Sequence, residues 1–325
     1  MPSPNAIFTE IVSTTFRNHA KDITDNFSNH NALYRRLGQK GKTRSESGGY
    51  SIVQPLEYAA NGTYQRYSGF DVLNVAQSDV FTAAEFNWRQ IAINVVSSGY
   101  ELRVNAGPQR LANLAKSRIK NAIHTFGNNF SADMYADGTL TNQIDGLQKL
   151  VADTPTNTVG GINAGTWTFW QNKVQSAAAP LQGGAAITPS ATSGIMESLM
   201  LPLLLELTRN NDKTDLIVSS NDYYQFFEGG QIGLKQYVDK DMADAGFMNL
   251  KYHGIPVVFD GNSGMAASRM YFLNTNYLEL VTHSDANMTV MDEAKPFNQD
   301  AVVVPILWMG NMVCSNRALQ GLVKA

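Results

Sequence analysis

Charged residues are scarce in this chain: they make up 16% of its 325 residues, against roughly 25% in an average soluble protein. Neutral polar residues and 26 glycines take their place. The hydrophobic fraction is 43%, which excludes a disordered chain, because such a chain is poor in apolar residues and rich in one charge. Since charge is depleted in the cores of protein interfaces, a surface with few charges suggests extensive burial against other subunits.

Cysteine, long apolar runs and net charge are also lacking. The single cysteine, Cys314, excludes a disulfide framework and fits a reducing compartment. The longest apolar runs, Leu199–Leu205 and Ala301–Met309, are far shorter than the ~18 residues of a membrane helix, and Met1–Ala20 has no signal-peptide core, so no membrane partner is expected. A net charge of −3 and a pI near 6.0 give no global nucleic-acid signature.

The segment Gly38-Gln39-Lys40-Gly41-Lys42-Thr43 comes nearest to a nucleotide-binding motif. A phosphate loop needs about four residues between its glycines and a buried strand before them, so that successive backbone N–H groups surround the phosphates. Here two residues separate the glycines and no such strand precedes them. The surrounding stretch, Arg35–Gly49, is therefore interpreted as a flexible basic linker.

Catalytic and metal-binding patterns are missing from the sequence. The five histidines have no HxxxH, HxH or HExxH spacing, and a single cysteine could join them, so neither a zinc site nor a cofactor is predicted. Gly261-Asn262-Ser263-Gly264 is one residue shorter than the elbow of serine hydrolases. We predict no catalytic, cofactor-binding or metal-binding residue and no enzyme activity. His124 is expected on a helix surface and His253 in a turn.

Basic residues are unevenly distributed. One strip lies within ten residues, and a second, Leu102–Ala132, contains five basic residues and no Asp or Glu. Two such strips on a near-neutral chain fit contact with a polyanion, through its phosphates and without reading sequence. Acidic partners on neighbouring subunits explain the strips equally well. The candidate DNA-facing residues are those of the first strip: Arg35, Arg36, Lys40, Lys42 and Arg44.

Residues 50–96 are predicted to be extended. Along Ala84–Val96 the apolar positions change from even numbers to odd numbers near Gln90, which indicates a bulge or a strand that packs on two different bodies. Strands of ~15–20 residues would form a projecting hairpin of ~50–65 Å. The odd positions Ile91, Ile93 and Val95 are expected in the subunit's own core. The candidate inter-subunit contacts are Phe86, Trp88, Tyr64 and Tyr67.

A long amphipathic helix follows the extended region. Apolar residues from Leu111 to Met134 recur at three- and four-residue spacing between Pro108 and Gly138, which predicts a helix of roughly 29 residues and ~43 Å. Helices and strands then alternate, so the fold class is α+β. The predicted strands are Asp215–Ser219, Leu250–Phe259, Met270–Asn274, Tyr277–Val281 and a final pair, Ala301–Val304 and Ile306–Cys314.

The order of these elements and several short motifs resemble the major capsid proteins of tailed bacteriophages, whose fold is shared with encapsulin shells and herpesvirus capsid floors. The likeness covers nearly the whole chain, and the order of the motifs carries it rather than any single one. They are Gly48-Gly49-Tyr50-Ser51-Ile52, Gln54-Pro55-Leu56, Asn61-Gly62-Thr63-Tyr64, Tyr67-Ser68-Gly69, Trp88, Tyr100-Glu101 with Asn105, Tyr135-Ala136-Asp137-Gly138, Val159-Gly160-Gly161-Ile162, Asp215-Leu216-Ile217-Val218, Tyr252–Asp260 and Met270–Thr275.

The resemblance implies a tailed-phage major capsid fold with five parts. These are an N-terminal arm (1–49), an extended β-hairpin loop (50–98), a peripheral domain with the long spine helix (99–188), an axial domain (189–285), and C-terminal strands that return to the peripheral domain (286–325).

It also implies a virion shell protein that assembles in the host cytoplasm into hexamers and pentamers of a closed icosahedral head. The expected partners are further copies of the chain, packaged double-stranded DNA, a portal and a scaffolding protein. Because about 45 residues precede the hairpin, we expect the scaffold to be a separate protein. A decoration protein is a further partner that the resemblance allows.

Two other classes stay open at this point. An encapsulin-type bacterial nanocompartment would use the same fold to enclose a cargo enzyme, and neighbouring genes would distinguish it from a phage. A dimeric α+β enzyme would need a catalytic cluster, which the sequence does not supply.

Overall fold

Helices and strands alternate through the chain, as expected for an α+β fold. The computed structural model describes residues 31–104, 108–190, 195–230, 249–260 and 264–325. The arm up to residue 30 and the predicted apolar side chains Leu111 and Leu114 lie outside the described part. The helices are α1 (Ala32–Gln39), α2 (Gly99–Val104), α3 (Pro108–Tyr135), α4 (Leu147–Leu150), α5 (Leu201–Glu206) and α6 (Asn221–Gly230), with a π-helical turn at Met196–Met200.

The strands form two large sheets and two hairpins. They are β1 (Thr43–Glu46), β2 (Ser51–Glu57), β3 (Phe81–Asn87), β4 (Arg89–Ser98), β5 (Thr158–Val159), β6 (Ile162–Asn163), β7 (Lys173–Ser176), β8 (Leu216–Ser219), β9 (Asn249–Tyr252), β10 (Ile255–Phe259), β11 (Arg269–Leu273), β12 (Leu278–His283), β13 (Thr289–Val290), β14 (Ala301–Cys314) and β15 (Gly321–Lys324).

The larger sheet has six strands in the order β7-β15-β11-β8-β10-β9. Its central strand β8 is Leu-Ile-Val-Ser and is buried along its whole length, which is typical of a strand covered on both faces. One face packs against the helices α5 and α6, through Leu203 and Phe227, and the other contributes to the main core, through Leu216 and Tyr271. The strands predicted at 215–219 and 270–274 are present, whereas the single strand predicted at 250–259 is an antiparallel hairpin of β9 and β10 that turns at residues 253 and 254.

The smaller sheet is organised by β14. Strand β12 and then β13 pair with one edge of β14, β4 pairs with the other edge, and β1 adds in parallel to β12. The sequence predicted two strands separated by Pro305, whereas β14 runs through Pro305 as a single strand of 14 residues. Proline removes one N–H donor, but its carbonyl still accepts from the Met291 N–H at 2.9 Å, so the pairing continues.

Helix α3 confirms the predicted long helix, with 28 residues and a length of about 42 Å. Its described apolar residues recur on one face and are buried, and Phe130 meets Trp308 of β14 edge to face at 4.8 Å. His124 is exposed on the opposite face, as predicted. The helix is therefore packed against the sheet that also receives β4.

Residues 35–46 are not the flexible linker that their composition predicted. They complete α1 and form β1, which pairs with β12 from Thr43↔Leu280 to Glu46↔His283. Leu33 and Leu37 are four residues apart, lie on one face of α1 and are fully buried. The Asn31 side chain accepts from the Tyr34 N–H at 2.9 Å and caps the helix.

The two strands of the hairpin are shorter than predicted. Strands β2 and β3 have seven residues each, paired from Ser51↔Asn87 to Glu57↔Phe81. Their length of about 23 Å is less than half of the predicted arm. Residues 58–80 between them form a long loop without strands.

The large sheets cross the predicted domain boundaries. The six-stranded sheet contains β7 and β15 beside β8 to β11, so strands from both sides of residues 189 and 285 pair with one another. The five-part division of the chain stays a prediction.

Candidate inter-subunit surface

The loop 58–80 is held together by side chains instead of a strand ladder. Asn74 donates to the Gly62 carbonyl at 3.2 Å, and its own N–H donates to Gln65 Oε1 at 3.0 Å. Gln65 Nε2 donates to the Val72 carbonyl at 3.0 Å, and the Gly62 N–H donates to Ser78 Oγ at 3.1 Å. The amide and hydroxyl groups thus point between the two limbs of the loop, where they satisfy one another.

The apolar side chains of this loop point outward. We call this set the exposed loop face. Phe70 is 106% exposed relative to a free residue, and none of the set is less than half exposed. A loop that satisfies its polar groups internally and presents aromatic and aliphatic groups to solvent is typical of an interaction site. The exposed loop face consists of Tyr64, Tyr67, Phe70, Val72, Leu73 and Val75.

Sequence reasoning identified Tyr64 and Tyr67 as contacts but left Phe70 and Val72 as ordinary strand residues. The polar residues Asn61, Gln65 and Asn74 interrupt the period-two alternation that a half-buried strand requires. That interruption is the signal in the sequence that this stretch is a loop.

Three aromatic rings lie at the base of the hairpin. Tyr58 lies 5.7 Å from both Trp167 and Phe169, measured between ring centroids. Cavities of 410 Å³ and 620 Å³ open beside this cluster. Trp167 is 49% exposed, so the base of the hairpin also presents aromatic surface.

The predicted change of buried positions is confirmed, and it falls at Trp88. In β3 the even positions Ala84 and Phe86 are buried, and in β4 the odd positions Val95 and Ser97 are buried. The two halves pack on different bodies because β3 pairs with β2 and β4 pairs with β14. Ile93 is half-buried and packs with Val95, as expected for the chain's own core.

Phe86 does not lie where the sequence predicted. Its side chain is 1% exposed and packs inside the chain against the turn at Gly160, whose carbonyl accepts from the Glu85 N–H at 2.9 Å. The prediction of a contact with another subunit is therefore wrong for Phe86, because the β5–β6 hairpin of the same chain covers it. Sequence patterning shows which face of a strand is apolar but not which body covers that face.

Trp88 is half-buried at the junction between β3 and β4. Its indole N–H donates to the Gly49 carbonyl at 3.0 Å, and its ring meets His283 edge to face at 5.5 Å. The remaining surface is open, so a contact with another subunit stays a prediction for Trp88, as it does for Tyr64 and Tyr67.

The first basic strip has acidic partners within the chain. Asp215 lies 2.8 Å from Lys40 and 3.3 Å from Arg36, and Glu279 lies 3.4 Å from Lys42 and 3.5 Å from Arg44. These pairs hold residues 36–44 against β8 and β12. From the sequence we considered acidic partners on neighbouring subunits. In the structure, acidic partners lie about 180 to 240 residues further along the same chain. That the strip faces DNA stays a prediction.

The second basic strip is also partly paired. Arg118 contacts both oxygens of the Glu101 carboxylate, at 2.6 and 2.7 Å, and Arg103 lies 2.9 Å from Asp300. The side chains of Arg110 and Lys116 lie outside the described residues. The first pair fastens α2 to helix α3, and the second joins α2 to the residue that precedes β14.

A buried polar cluster joins the turn after α3 to β14. The Asp145 carboxylate accepts from Lys149 at 2.5 Å and from Asn311 at 3.0 Å, and Asn311 Oδ1 accepts from the Asp145 N–H at 2.8 Å. Every member has a partner in the cluster, so this arrangement is structural.

Three ionisable side chains of the described residues, those of Cys314, Tyr135 and Arg317, are buried. Burial raises the pKa of the Cys314 thiol to about 12, so the reactive thiolate does not form near neutral pH. Burial also raises the pKa of the Tyr135 hydroxyl well above its usual value, and this hydroxyl donates to Asp260 at 2.7 Å. Arg317 is fully buried and donates to four neutral oxygens; burial lowers its pKa to about 10, which leaves it charged.

Metal-binding clusters and membrane-spanning helices are not found among the described residues. No group of three or more His, Cys, Asp and Glu side chains is placed there to hold a metal ion. Nor does a helix in that part of the chain have both the length and the apolar character to span a bilayer. His253 lies in a turn, at a positive φ of 49°, as predicted.

Solved structures with a similar fold are virus and particle shells. The cyanophage A-1(L) capsid chain matches with a TM-score of 0.61 at 14% identity, over 87% of this chain and 90% of that one. The capsid of an empty GTA particle matches with a TM-score of 0.53 at 15% identity, over 88% of each chain. A chain of the satellite phage P4 procapsid, a structure that includes the size determination (Sid) protein, matches with a TM-score of 0.51 at 13% identity, over 94% and 90%.

These matches establish the architecture of the chain: it has the fold of tailed-phage major capsid proteins. They span nearly the full length of both partners, so the likeness concerns the whole chain and not one module. No family model matches the sequence, and no curated protein sequence is significantly similar to it.

Proposed function

We propose that this chain is the major capsid protein of a tailed double-stranded DNA bacteriophage, which assembles into the closed head that encloses the genome. The observation that carries the proposal is the exposed loop face on a capsid fold. Burying a large apolar side chain is worth about 1.5–3 kcal/mol, so six exposed ones favour association strongly. A head-to-tail contact of this kind generates rings, which a shell requires as hexamers and pentamers.

The structure of the loop supports contact with a second copy of the chain. The side-chain amides of Gln65 and Asn74 are already satisfied within the loop, so docking need not leave them unpaired. The low charge content of the chain also fits extensive contact between copies. Phe70 and Tyr67 are the proposed anchors, because aromatic side chains supply most of the energy at the centres of interfaces.

The further partners belong to the same proposal. Packaged double-stranded DNA would be contacted through phosphates without reading sequence, with the first basic strip as the candidate surface. A separate scaffolding protein, a portal and a decoration protein complete the set, in a virion assembled in the host cytoplasm. An encapsulin-type compartment is the less favoured role, because the similar structures described above are phage and GTA capsids. The proposed role requires no catalytic residue.

The test compares two substitutions that place a carboxylate on exposed apolar positions. Phe70→Asp changes the exposed loop face, and Leu140→Asp, at a side chain 69% exposed in a different loop, is the matched control. We expect the wild type and Leu140→Asp to form shells or rings, seen by light scattering and negative-stain microscopy. Phe70→Asp should stay unassembled with an unchanged unfolding temperature.

Two results would contradict the proposal. One is a wild-type chain that stays a stable monomer under all conditions, including after addition of its scaffolding protein. The other is a Phe70→Asp variant that assembles as well as the control, since the exposed loop face would then make no contact between copies.

A further inference from the structure

The helix across one face of the six-stranded sheet contains an irregular turn. Met196–Met200 is π-helical, with the Leu201 N–H bonded to the Met196 carbonyl, and α5 continues from Leu201 with Pro202 in its first turn. Wide turns of this kind are rare, are often found at functional sites, and need a local cause. Proline supplies one here, because its ring clashes with the carbonyl four residues earlier, which belongs to Ser198.

Pro202 also leaves that carbonyl without its helical donor, because proline has no N–H. Two glutamine side chains supply donors instead: Gln182 Nε2 lies 2.9 Å and Gln175 Nε2 lies 3.2 Å from the Ser198 oxygen. We call this pair the glutamine latch. The carbonyl is therefore satisfied by groups from outside the helix.

The glutamine latch is itself ordered by the chain around it. Gln175 is a fully buried residue of β7, and its Oε1 accepts from the Leu181 N–H at 2.9 Å. Gln175 also donates to Gln182 Oε1 at 3.0 Å. Across the sheet, the Tyr252 hydroxyl of β9 donates to the Met196 carbonyl at 2.8 Å. The irregular turn is thus fixed to both edge strands by side chains.

We propose that Met196–Pro202 is a hinge that the glutamine latch holds closed. A helix held by its own backbone bonds has one stable geometry, whereas the Ser198 carbonyl depends on two side-chain amides, and water can replace the exposed one, that of Gln182. Release of Gln182, which is exposed, frees Ser198 and the wide turn to bend. Gly183, next to Gln182, has a positive φ of 76° that glycine adopts readily, so the turn that carries Gln182 can move away from Ser198.

The hinge has a use if the chain builds a shell, and this part of the inference rests on the proposed function. Identical chains in hexamers and pentamers meet their neighbours at different angles. Small rotations of packed elements about a few residues accommodate such differences. The hinge lies on the helix that covers the six-stranded sheet, within the predicted axial part of the chain.

The test is hydrogen exchange of the backbone amides between residues 196 and 207 in the full chain, measured in the unassembled state. Gln182→Met removes one latch donor and should speed exchange of this segment about tenfold, the factor for one lost hydrogen bond. Gln171→Met, which removes another glutamine donor to a backbone carbonyl, that of Ala164 at 2.7 Å, is the matched control and should leave this segment unchanged.

A second background makes the test specific to the missing proline donor. Pro202→Ala restores an N–H that reaches Ser198, so Gln182→Met should change exchange less than twofold in that background. An equal effect of Gln182→Met in both backgrounds, or no effect in the wild type, overturns the proposal. Because the measurement uses unassembled chains, its failure is distinct from a failure of shell assembly.

Discussion

Single residues divide the strand region 81–98 between two packing environments. Phe86 faces the β5–β6 hairpin of its own chain, whereas Val95, on the strand β4 that pairs with β14, faces the helix α3. Trp88 lies between them, half-buried, where the pairing partner of the strand changes. The same stretch of sequence therefore fixes the hairpin to the body and presents one open aromatic edge.

Truncation separates the roles of these two aromatic residues. Phe86→Ala should lower the unfolding temperature of the unassembled chain markedly, because emptying a packed aromatic site costs about 3–5 kcal/mol. Trp88→Ala should lower the unfolding temperature less than Phe86→Ala does, and it should raise the critical concentration for assembly. Thermal unfolding and an assembly titration measure the two effects. Equal losses of unfolding temperature would show that Trp88 also serves mainly the chain's own core.

The ion pair between Asp153 and Arg269 makes the stability of the fold depend on pH. Arg269 binds both carboxylate oxygens, and this hydrogen bonding holds the pKa of Asp153 below its ordinary value of 3.8. A carboxyl group whose pKa is lower in the folded state stabilises the fold at pH values above its ordinary pKa. This stabilisation is lost as the pH falls through the pKa of the folded state. Asp153→Asn should therefore lower the unfolding temperature at pH 7, and this difference should shrink as the pH falls below 3.8. A constant difference from pH 7 to pH 2 would exclude this origin.

At the scale of elements, the long helix α3 is held by a close approach at its C-terminal end. Gly146 precedes α4, and a Cβ placed on it would lie 2.4 Å from the carbonyl oxygens of both Asp133 and Ala136. Glycine lets this turn lie directly against the last turn of α3. The buried Asp145 and Asn311 then connect the same turn to β14.

Two glycine substitutions should act in opposite directions. Gly146→Ala should destabilise the chain, because the added methyl meets backbone that cannot move aside. Gly38→Ala should stabilise it by about 0.5–1 kcal/mol, since Gly38 lies in helix α1 and an added methyl would have no atom within 4 Å. Chemical denaturation of the two variants compares them directly. A destabilising Gly38→Ala would contradict the packing described for α1.

The sequence predicted the elements whose pattern is local. The apolar spacing of α3 indicated its length to within one residue, and the shift from even to odd apolar positions placed the junction near Gln90, two residues from its observed position at Trp88. The missed features depend on distant partners. Nothing near Lys40 indicates that Asp215 will pair with it, and nothing near Phe86 indicates that Gly160 will cover it. Strand β14 continues through Pro305 because neighbouring strands hold it on both sides.

At the scale of the whole molecule, the described N-terminal part is joined to the body by charge and by strand pairing. Asp215 and Glu279 neutralise residues of the first basic strip, while β1 adds to the edge of the five-stranded sheet. These pairs are partly exposed, so each contributes about 0.2–1 kcal/mol and weakens with salt.

A triple variant tests both roles of this strip. Replacing Lys40, Lys42 and Arg44 by Gln should lower the unfolding temperature of the unassembled chain modestly, and the difference should shrink at high salt. Assembled particles of the same variant should retain less DNA, if the strip also contacts phosphates. The readouts are thermal unfolding at two salt concentrations and the DNA content of purified particles. An unchanged DNA content would show that the first basic strip makes only ion pairs within the chain and does not contact DNA.

The central claim is that the exposed loop face packs on another copy of the chain within a shell. An electron cryomicroscopy map of the assembled wild-type particle tests it most directly. We predict a closed shell in which Tyr64, Tyr67 and Phe70 of each copy are buried against a neighbouring copy, with the same capsid fold in every subunit. A particle in which these side chains remain exposed to solvent would contradict the account.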